Sequence, residues 1–523
     1  MDKTLIISFT LGILVLLLVF RVISASRQPV LLRSVAVVVL GDVGRSPRMM
    51  YHAESFATNG FNTYIIGNKG TTPIPSLLSL PRVRFCYLPD PPRTIKGTPF
   101  LIAAPRKVVL QVFYILEALL VRVPNPPEFI IVQNPPSIPT LALVWLVGRF
   151  RGSKVIIDWH NLGYSILALK LGSGHPLVRV AECFEGFFGR SAYAHLFVTR
   201  AMRDQLDSKW SLRGKKIVLH DRPPAHFHRA SESEMHDLFL RILSSTSSPS
   251  VPAFSNLSSP SLEGWLPSYD PPQTTPFTRI LPHLSLTSSE SQPSTAQRDD
   301  RPALVVSSTS WTPDEDFGIL LDGLSKYDKI AKGNNGKLPK VLMIVTGKGP
   351  DRARWLRKVD ALQGNDADEK DRWTHVRLLS MWLEAADYPL LLGSADLGIS
   401  LHSSSSGIDL PMKVVDMFGC GLPVCALNFA CLDELVKDGV NGLVFNNADQ
   451  LAAQLESLLT NFPSSPTLSS LRASLQQDKH ADAARQGRGD GGQDGEWEWC
   501  TWSQNWDRVM KPILLSDLSV DRE

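Results

Sequence analysis

Short, continuous runs of β-branched residues recur along most of the chain, with helical stretches between them. The first run, residues 34–40, predicts a strand buried on both faces and hence a parallel sheet. A glycine-bearing turn, a helix through Asn59 and a second run at residues 61–66 complete a βαβ unit. Further strands are predicted at residues 129–132, 154–158, 195–199 and 216–219. The pattern therefore predicts a doubly wound α/β domain over residues 33–230.

The composition changes after this domain. Residues 244–300 are rich in Ser, Pro and Thr, so we expect an insert over residues 231–300 that is disordered. Strand and helix signals resume at residue 303 and continue to residue 401, which predicts a second α/β domain over residues 301–460. Residues 461–523 contain a polar, Gly-rich loop and an aromatic helix that we expect to pack back on the body.

The N-terminus holds a long apolar stretch at residues 5–23, which is long enough to span a membrane as one helix. A cleaved signal peptide is the alternative, with Ser24-Ala25-Ser26 as its cleavage site. The nearby cations lie mostly after the stretch: Arg21, Arg27 and Arg33, against Lys3 before it. The long apolar core and the single leading charge favour an uncleaved anchor over residues 1–25. The positive-inside rule then predicts that the rest of the chain is on the cytosolic side. The apolar residues 108–121 are too few to span a bilayer and predict a buried helix or one lying on the membrane surface.

Charge and cysteine content narrow the class of protein. A net charge of +3 gives no reason to propose nucleic acid as a partner. The six cysteines form no C-x-x-C pair, which argues against a disulfide scaffold or a structural zinc site and fits a reducing compartment. No Asp-x-Asp run placed after a strand stands out as a metal site, and neither a metal ion nor another cofactor is expected.

The second domain carries the pattern of a nucleotide-sugar site. A Ser/Gly loop that includes Gly407 leads into a helix start at Pro411, where backbone N–H groups favour a phosphate. Lys413 adds a positive charge, and Asp409 and Asp416 add carboxylates for sugar or ribose hydroxyls. In the same domain, Gly347-Lys348-Gly349 follows a strand and predicts either a second diphosphate contact or an ordinary turn.

The first domain carries two further candidate motifs, each after a strand. Gly41-Asp42-Val43-Gly44-Arg45 is a phosphate cradle or a tight βα turn, since it lacks the full G-x-G-x-x-G spacing. Arg45 and Arg48 are each candidates either to face a diphosphate or to lie on a solvated helix start. Asp158-Trp159-His160-Asn161 lies where open α/β sheets bind ligands, and His160 is a candidate base or hydrogen-bond partner of a sugar phosphate.

These motifs, in this order, resemble those of the two-domain glycosyltransferases of the GT-B fold. Pro411-x-Lys413-x-x-Asp416, with Gly421-x-Pro423-Val424 after it, is similar to the nucleotide-sugar signature of that family. The stretches 37–49, 158–164 and 407–413 are similar to those of its dolichol-pathway β-mannosyltransferases. The resemblance covers about residues 1–460, apart from the Ser/Pro-rich insert.

The resemblance implies two doubly wound Rossmann-like domains that face a cleft, with an N-terminal transmembrane helix. It implies inverting transfer of the first mannose from GDP-mannose to GlcNAc2-diphosphodolichol, with a β-1,4 linkage, in N-glycan precursor assembly. The location implied is the endoplasmic reticulum membrane, with the catalytic domains on the cytosolic side. GDP-mannose and the dolichol-linked acceptor are the implied partners, and other enzymes of the dolichol pathway are candidate partners. A catalytically silent homologue and a transferase for a different sugar are the alternatives.

The same resemblance implies roles for individual residues. Asp416 would hold the ribose hydroxyls, Lys413 and Lys348 the diphosphate, and Asp409 the mannose. Many relatives carry two carboxylates eight positions apart, whereas Asp409 is displaced by one position from that spacing.

Inversion at the anomeric carbon requires a base for the attacking hydroxyl. Asp42 and His160 are both candidates, and the sequence does not rank them. Gly41, Gly44 and Arg45 are expected to contact a phosphate or the acceptor.

Overall fold

The computed structural model describes residues 30–89, 100–244, 262, 264–281, 294–312, 315–334, 336–364, 371–403, 407–475 and 500–515. The predicted anchor over residues 1–25 lies outside these ranges. Within them, no helix combines the length and the apolar character needed to cross a bilayer. The chain divides into two compact units, one reaching to Asp221 and resuming at Asn505, the other running from Arg222 to Gln504.

The first unit is built on a seven-stranded parallel sheet of order β3-β2-β1-β4-β5-β6-β7. Its strands are β1 (Leu31–Asp42), β2 (Asn62–Asn68), β3 (Val83–Leu88), β4 (Pro127–Asn134), β5 (Lys154–Trp159), β6 (Ser191–Phe197) and β7 (Arg213–Val218). Its helices are α1 (Pro47–Thr58), α2 (Pro75–Ser79), α3 (Phe100–Glu117, extended by a π turn at Ala118–Arg122), α4 (Thr140–Arg151), α5 (Gly163–Leu171), α6 (Pro176–Gly189) and α7 (Arg200–Trp210). The winding reverses between β1 and β4, which is the point where such sheets bind ligands.

The second unit repeats this winding on a six-stranded parallel sheet of order β12-β11-β10-β13-β14-β15. Its strands are β10 (Ala303–Ser308), β11 (Val341–Thr346), β12 (Val376–Met381), β13 (Leu397–Ser400), β14 (Val424–Leu427) and β15 (Gly442–Phe445), preceded by a short pair, β8 (Thr278–Ile280) and β9 (Thr295–Gln297). Its helices are α8 (Glu232–Ser244), α9 (Phe317–Gly333), α10 (Arg352–Gln363), α11 (Asp387–Ser394), α12 (Met412–Gly419), α13 (Ala448–Leu459) and α14 (Pro466–Ser474). A last helix, α15 (Trp502–Leu515), begins at the end of this unit and continues into the first.

The expectation of a disordered insert over residues 231–300 was wrong for its described parts. Ser231 and Glu234 form a capping box at the start of α8, with Ser231 N donating to the Glu234 carboxylate at 2.8 Å. α8 buries four apolar side chains at helical spacing: Met235, Leu238, Phe239 and Ile242. The rings of Phe239 and Phe277 lie 4.3 Å apart, which joins α8 to the antiparallel pair β8–β9. The Ser/Pro-rich composition belongs to residues 244–300, so α8 lies before it and carries its own helical pattern.

Helix α15 packs against α1 of the first unit. Trp506 is fully buried, and its ring lies edge-on to that of Phe56 with centroids 5.1 Å apart. The indole Nε1 of Trp506 donates to Nδ1 of His52 at 3.1 Å. The first unit is therefore completed by residues that follow the whole of the second.

Candidate active site

The residues predicted to form the site follow the carboxyl ends of parallel strands in both units. Asp42 is the last residue of β1, and His160 directly follows β5. In the second unit, Gly347 directly follows β11, and α12 carries Lys413 and Asp416. Because ligands bind at this edge of open α/β sheets, each residue lies at an end of its sheet that can serve a ligand.

Asp42 holds the turn after β1 in place. Its Oδ1 accepts a hydrogen bond from Gly44 N at 3.0 Å, and its Oδ2 accepts bonds from Thr71 N and Thr71 Oγ1, both at 2.8 Å. The backbone N–H of Thr71 is the main reason that the pKa of Asp42 lies below its ordinary value. A carboxylate that is engaged in this way and is a weak base is poorly suited to accept a proton from a substrate.

The glycines and the arginine of this turn differ in their surroundings. A Cβ on Gly44 would lie 2.2 Å from the carbonyl oxygen of Thr71, so this glycine permits the close approach of two backbone segments. A Cβ on Gly41 would meet open space. The side chain of Arg45 is 81% exposed and lies 3.7 Å from the Asp42 carboxylate. Gly41 and Arg45 are thus open to a ligand, whereas Gly44 has a packing role.

Arg48 is a buried structural residue, so it is neither a diphosphate contact nor part of a solvated helix start. Its Nε and Nη2 donate to the two carboxylate oxygens of Asp158, each at 2.9 Å. Its Nη1 donates to Asp221 at 2.7 Å and to the carbonyl of Leu219 at 2.9 Å. Burial opposes the charged guanidinium, but Asp158 and Asp221 outweigh it and raise the pKa of Arg48 above its ordinary value. Arg48 therefore ties α1 to the ends of β5 and β7.

His160 is partly exposed and is oriented by the buried Asp158. Its Nε2 lies 2.7 Å from Asp158 Oδ2, and its side chain is 21% exposed whereas that of Asp158 is fully buried. Burial alone would raise the pKa of Asp158, but Arg48 and hydrogen bonds from both neighbouring histidines hold it well below its usual range. Within the described part of the chain, Nδ1 of His160 has no hydrogen-bond partner. An ionised carboxylate thus fixes one ring nitrogen and leaves the other for a substrate.

A second histidine supports the same carboxylate from inside the fold. The Nε2 of His52 lies 3.2 Å from Asp158, and its Nδ1 accepts the indole hydrogen of Trp506. This pairing assigns the neutral tautomer with the hydrogen on Nε2. Burial lowers the pKa of His52, in agreement with a neutral ring. Nothing in the sequence pointed to His52 or Trp506, which are 454 positions apart.

In the second unit, Lys413 is paired with an acidic residue that the sequence did not suggest. Its Nζ lies 2.7 Å from the carboxylate of Glu315, which is buried, while the lysine side chain is 30% exposed. The same carboxylate accepts hydrogen bonds from Ser310 N at 3.0 Å and from the Thr309 hydroxyl. Glu315 therefore holds Lys413 against the loop that follows β10.

Lys348 lies on the neighbouring loop. A Cβ on Gly347, whose φ is +127°, would lie 1.8 Å from the carbonyl oxygen of Thr309, and one on Gly349 would lie 1.8 Å from that of Ser310. These glycines let the loops after β10 and β11 pack backbone to backbone. The Nζ of Lys348 lies 4.2 Å from the ring centroid of Trp382, a cation–π contact.

Of the two predicted carboxylates, Asp416 lies on α12 near the end of β10, and Asp409 lies on the loop before α12. Asp416 is half-buried on α12, and its charge, after burial, helps to raise the pKa of Tyr388. The hydroxyl of Tyr388 lies 3.0 Å from that of Ser308, the last residue of β10. The end of β10 thus links Lys413, Asp416 and the Lys348 loop.

The loop before α12 is more open. Gly407 has a left-handed φ of +74° and open space where a Cβ would be. Asp409 is half-buried, and its backbone carbonyl accepts a hydrogen bond from the Cys431 thiol at 3.5 Å. Residues 404–406 lie outside the described ranges. Direct contact of Asp409 with a sugar stays a prediction.

Two family descriptions match the chain, one in each unit. A glycosyl transferase 4-like domain matches residues 45–220, and glycosyl transferases group 1 matches residues 308–461. Chitobiosyldiphosphodolichol beta-mannosyltransferase of Mus musculus is 42% identical over 506 residues, covering 96% of this chain and 94% of that one. The Homo sapiens protein of the same name is 41% identical, covering 92% and 93%. An Arabidopsis thaliana relative named UDP-glycosyltransferase TURAN is 39% identical, covering 92% and 97%.

Solved structures share the fold at much lower sequence identity. Sucrose-phosphate synthase from Thermosynechococcus elongatus has a TM-score of 0.51 at 13% identity, covering 94% of this chain and 98% of that one. The N-terminal domain of Candida albicans trehalose-6-phosphate phosphatase has a TM-score of 0.51 at 12% identity, covering 86% and 95%. The two Rossmann-like sheets and the near-full-length relatives lead to one conclusion. The chain belongs to the chitobiosyldiphosphodolichol beta-mannosyltransferase family and is a glycosyltransferase of the GT-B fold.

Proposed function

We propose that the chain transfers the first mannose from GDP-mannose to GlcNAc2-diphosphodolichol, with inversion and formation of a β-1,4 linkage. Membership of the family supports the reaction and its place in N-glycan precursor assembly. The observation that carries the mechanism is the pair formed by the partly exposed His160 and the buried, ionised Asp158. This pair supplies a positioned base for the acceptor hydroxyl.

The proposed base is His160 rather than Asp42, because the Asp42 carboxylate is already occupied by Gly44 and Thr71. As the acceptor oxygen bonds to the anomeric carbon, its proton passes to Nδ1 of His160. The imidazolium that forms is stabilised by Asp158 at Nε2. The bond between the anomeric carbon and the phosphate oxygen breaks in the same displacement, and GDP leaves. Such positioned proton transfer contributes about 10²–10⁴-fold to the rate.

The leaving diphosphate is received in the second unit. Lys413 is partly exposed and is held by Glu315, and Lys348 lies on the loop after β11. These cations, with the N–H groups at the start of α12, would neutralise the developing charge, so the proposal invokes no metal ion or other cofactor. Asp416 would hold the ribose hydroxyls, and Asp409 the mannose, by analogy with the family.

The nucleotide of the donor needs its own test. One relative at 39% identity carries a name that specifies a UDP-linked donor, whereas others are named as mannosyltransferases.

We also propose that the enzyme is located at the endoplasmic reticulum membrane, with a single N-terminal span and both units on the cytosolic side. The apolar residues 5–23 and the cations that follow them support this placement.

The deciding experiment uses the purified full-length chain and a GlcNAc2-diphospho-lipid acceptor. GDP-mannose, UDP-glucose and UDP-GlcNAc are offered separately, and the product is weighed by mass spectrometry and digested with β-mannosidase. We expect one added hexose, sensitive to β-mannosidase, from GDP-mannose alone. Transfer from a UDP-sugar, or binding of GDP-mannose without transfer by a folded chain, would contradict the proposal.

A further inference from the structure

A helical hairpin formed by α5 and α6 begins three residues after His160. Near the end of α6, the carboxylate of Glu185 accepts hydrogen bonds from Gly163 N at 2.9 Å and Tyr164 N at 3.0 Å, at the start of α5. The packed helices α5 and α6 are therefore antiparallel, and their turn at residues 172–175 lies at the far end. Because α5 has 9 residues, the turn is about 13 Å from its start.

The outer surface of this hairpin is apolar. Five large apolar side chains are between 42% and 72% exposed, and we call them the hairpin face: Leu169, Leu171, Leu177, Val180 and Phe187. The three on α6 stand at spacings of three and seven residues and so share one side of the helix. The opposite side of α6, with Val178 and Ala181, is buried. A surface helix ordinarily presents polar residues to solvent, whereas the exposed side of α6 carries these three large apolar side chains.

The apolar surface continues onto the neighbouring helix. The ring of Phe188 lies 5.9 Å from that of Trp145 on α4, measured between centroids. Two further large apolar side chains of α4, Leu146 and Phe150, are exposed. Exposed apolar side chains thus occur on three helices that pack together, which indicates a partner that covers them.

The charges around the hairpin face are positive. No acidic residue occurs between Asp158 and Glu182, whereas Lys170 and Arg179 are present there and exposed. Glu182 itself is paired with Lys209 at 2.6 Å. Apolar side chains flanked by cations, without acidic residues between them, match a bilayer surface that carries anionic headgroups.

We propose that the hairpin face, with the exposed side of α4, inserts into the surface of an anionic lipid bilayer. The cations flanking it would lie among the headgroups, and the leucine, valine and phenylalanine side chains would enter the acyl boundary. Since α5 begins three residues after His160, insertion would hold that histidine close to the headgroup layer. The sugar of a lipid-linked acceptor projects from that layer, a consequence that rests on the proposed function, whereas insertion itself does not.

The test measures the surroundings of one labelled position in the full-length chain. The variants are made in a Cys183→Ser, Cys500→Ser background, in which the remaining native thiols are buried. A thiol-reactive, environment-sensitive fluorophore then labels the introduced cysteine selectively. One variant carries Leu177→Cys on the hairpin face. The matched control carries Leu78→Cys on α2 of the same unit, where the leucine is exposed to a similar degree. Each labelled chain is bound to nanodiscs of phosphatidylcholine and phosphatidylserine, with or without brominated acyl chains.

We expect blue-shifted emission at position 177 that brominated lipid quenches several-fold more strongly than the emission at position 78. Replacing Lys170 and Arg179 by glutamine should reduce this difference in quenching. Emission at 177 that resembles that of a label in water would overturn the proposal. Blue-shifted emission that brominated lipid leaves unchanged would also overturn it, because another protein segment or a second copy of the chain would then cover the face. None of these outcomes depends on transferase activity, so a failure of the proposed function is distinguishable.

Discussion

At the end of β5 in the first sheet, Arg48 and Asp158 are buried against each other, whereas at the carboxyl end of the second sheet the lysines are partly exposed. Arg48 and Asp158 are 4% and 0% exposed and are joined by two hydrogen bonds. Lys413 keeps 30% of its side chain in solvent although its partner Glu315 is buried. The same winding of strands therefore carries two different electrostatic arrangements.

This difference matches the two tasks of a glycosyl transfer. A buried, mutually neutralised ion pair is expensive to disturb, so it fixes the geometry of the residue that it supports, here His160. A half-exposed lysine exchanges partners easily, because water and a ligand can replace its contacts. The first unit is thus suited to orient a proton acceptor, and the second to accept and release a diphosphate.

The strongest challenge to this comparison is Asp158→Asn. It removes the charge that compensates Arg48 and the oxygen that orients His160, so we expect the free energy of unfolding to fall by about 3–5 kcal/mol. Chemical denaturation of the purified chain measures this loss. The control is Asp207→Asn, which breaks the partly exposed pair with Lys216 and should cost less than about 1 kcal/mol. Equal losses of unfolding free energy for the two variants would mean that the buried pair of Arg48 and Asp158 stabilises the fold no more than the partly exposed pair does.

His160→Gln separates catalysis from stability. The amide keeps the size and polarity of the side chain but cannot act as a base at neutral pH, so we expect kcat to fall by about 10²–10⁴-fold. The unfolding midpoint and the Kd for GDP should stay unchanged, because the ring is partly exposed and lies in the other unit from the proposed donor site. His375→Gln, at a half-buried position just before β12, serves as the control with unchanged kcat. Retention of full turnover by His160→Gln would remove it as the base.

Lys413→Gln tests whether the partly exposed lysine of the second unit binds the diphosphate. A charge-assisted hydrogen bond contributes about 1.5–3 kcal/mol, so the affinity for GDP should fall by roughly tenfold or more in calorimetric titration. The substitution also leaves Glu315 without its cation, which should destabilise the fold. The double variant Lys413→Gln, Glu315→Gln is expected to recover stability while the affinity for GDP stays low. Recovery of affinity in the double variant would show that Lys413 acts only on the loop.

Lys348→Met should have the smallest effect, and the chain offers a matched control on the same strand. Lys348 follows β11 and lies over Trp382, whereas Lys340 precedes β11 and lies 5.3 Å from the ring centroid of Trp265. Loss of a partly exposed cation changes binding by about 0.5–1 kcal/mol, or roughly two- to fivefold in the Kd for GDP. Lys340→Met, at the opposite end of the strand, should leave that Kd unchanged. Equal effects of the two substitutions would argue against a role for Lys348 in the donor site.

The strands and the location of the site could be predicted because both depend on local sequence. β5 spans Lys154–Trp159, where the sequence predicted a strand over residues 154–158, and the candidate residues follow strand ends as expected. The partners of those residues could not be predicted, because they come from distant parts of the chain. Glu315 is 98 positions from Lys413, and Thr71 is 29 positions from Asp42.

The ordered parts of residues 231–300 were missed for a different reason. The capping box of Ser231 and Glu234 and the apolar spacing of α8 are visible in the sequence once the overall composition is set aside. The Ser/Pro-rich composition belongs to residues 244–300, and extending the insert back to residue 231 included a single amphipathic helix with a different composition.

The contact of Trp506 with His52 has a consequence for biosynthesis. A ribosome makes the chain from its N-terminus, so all of Arg222–Gln504 is synthesised before the residues that complete the first unit. The first domain to emerge therefore cannot reach its final packing until α15 has left the exit tunnel. A premature stop anywhere in the second unit would leave His52 and Phe56 uncovered in the first, and we expect such products to be recognised as incompletely folded.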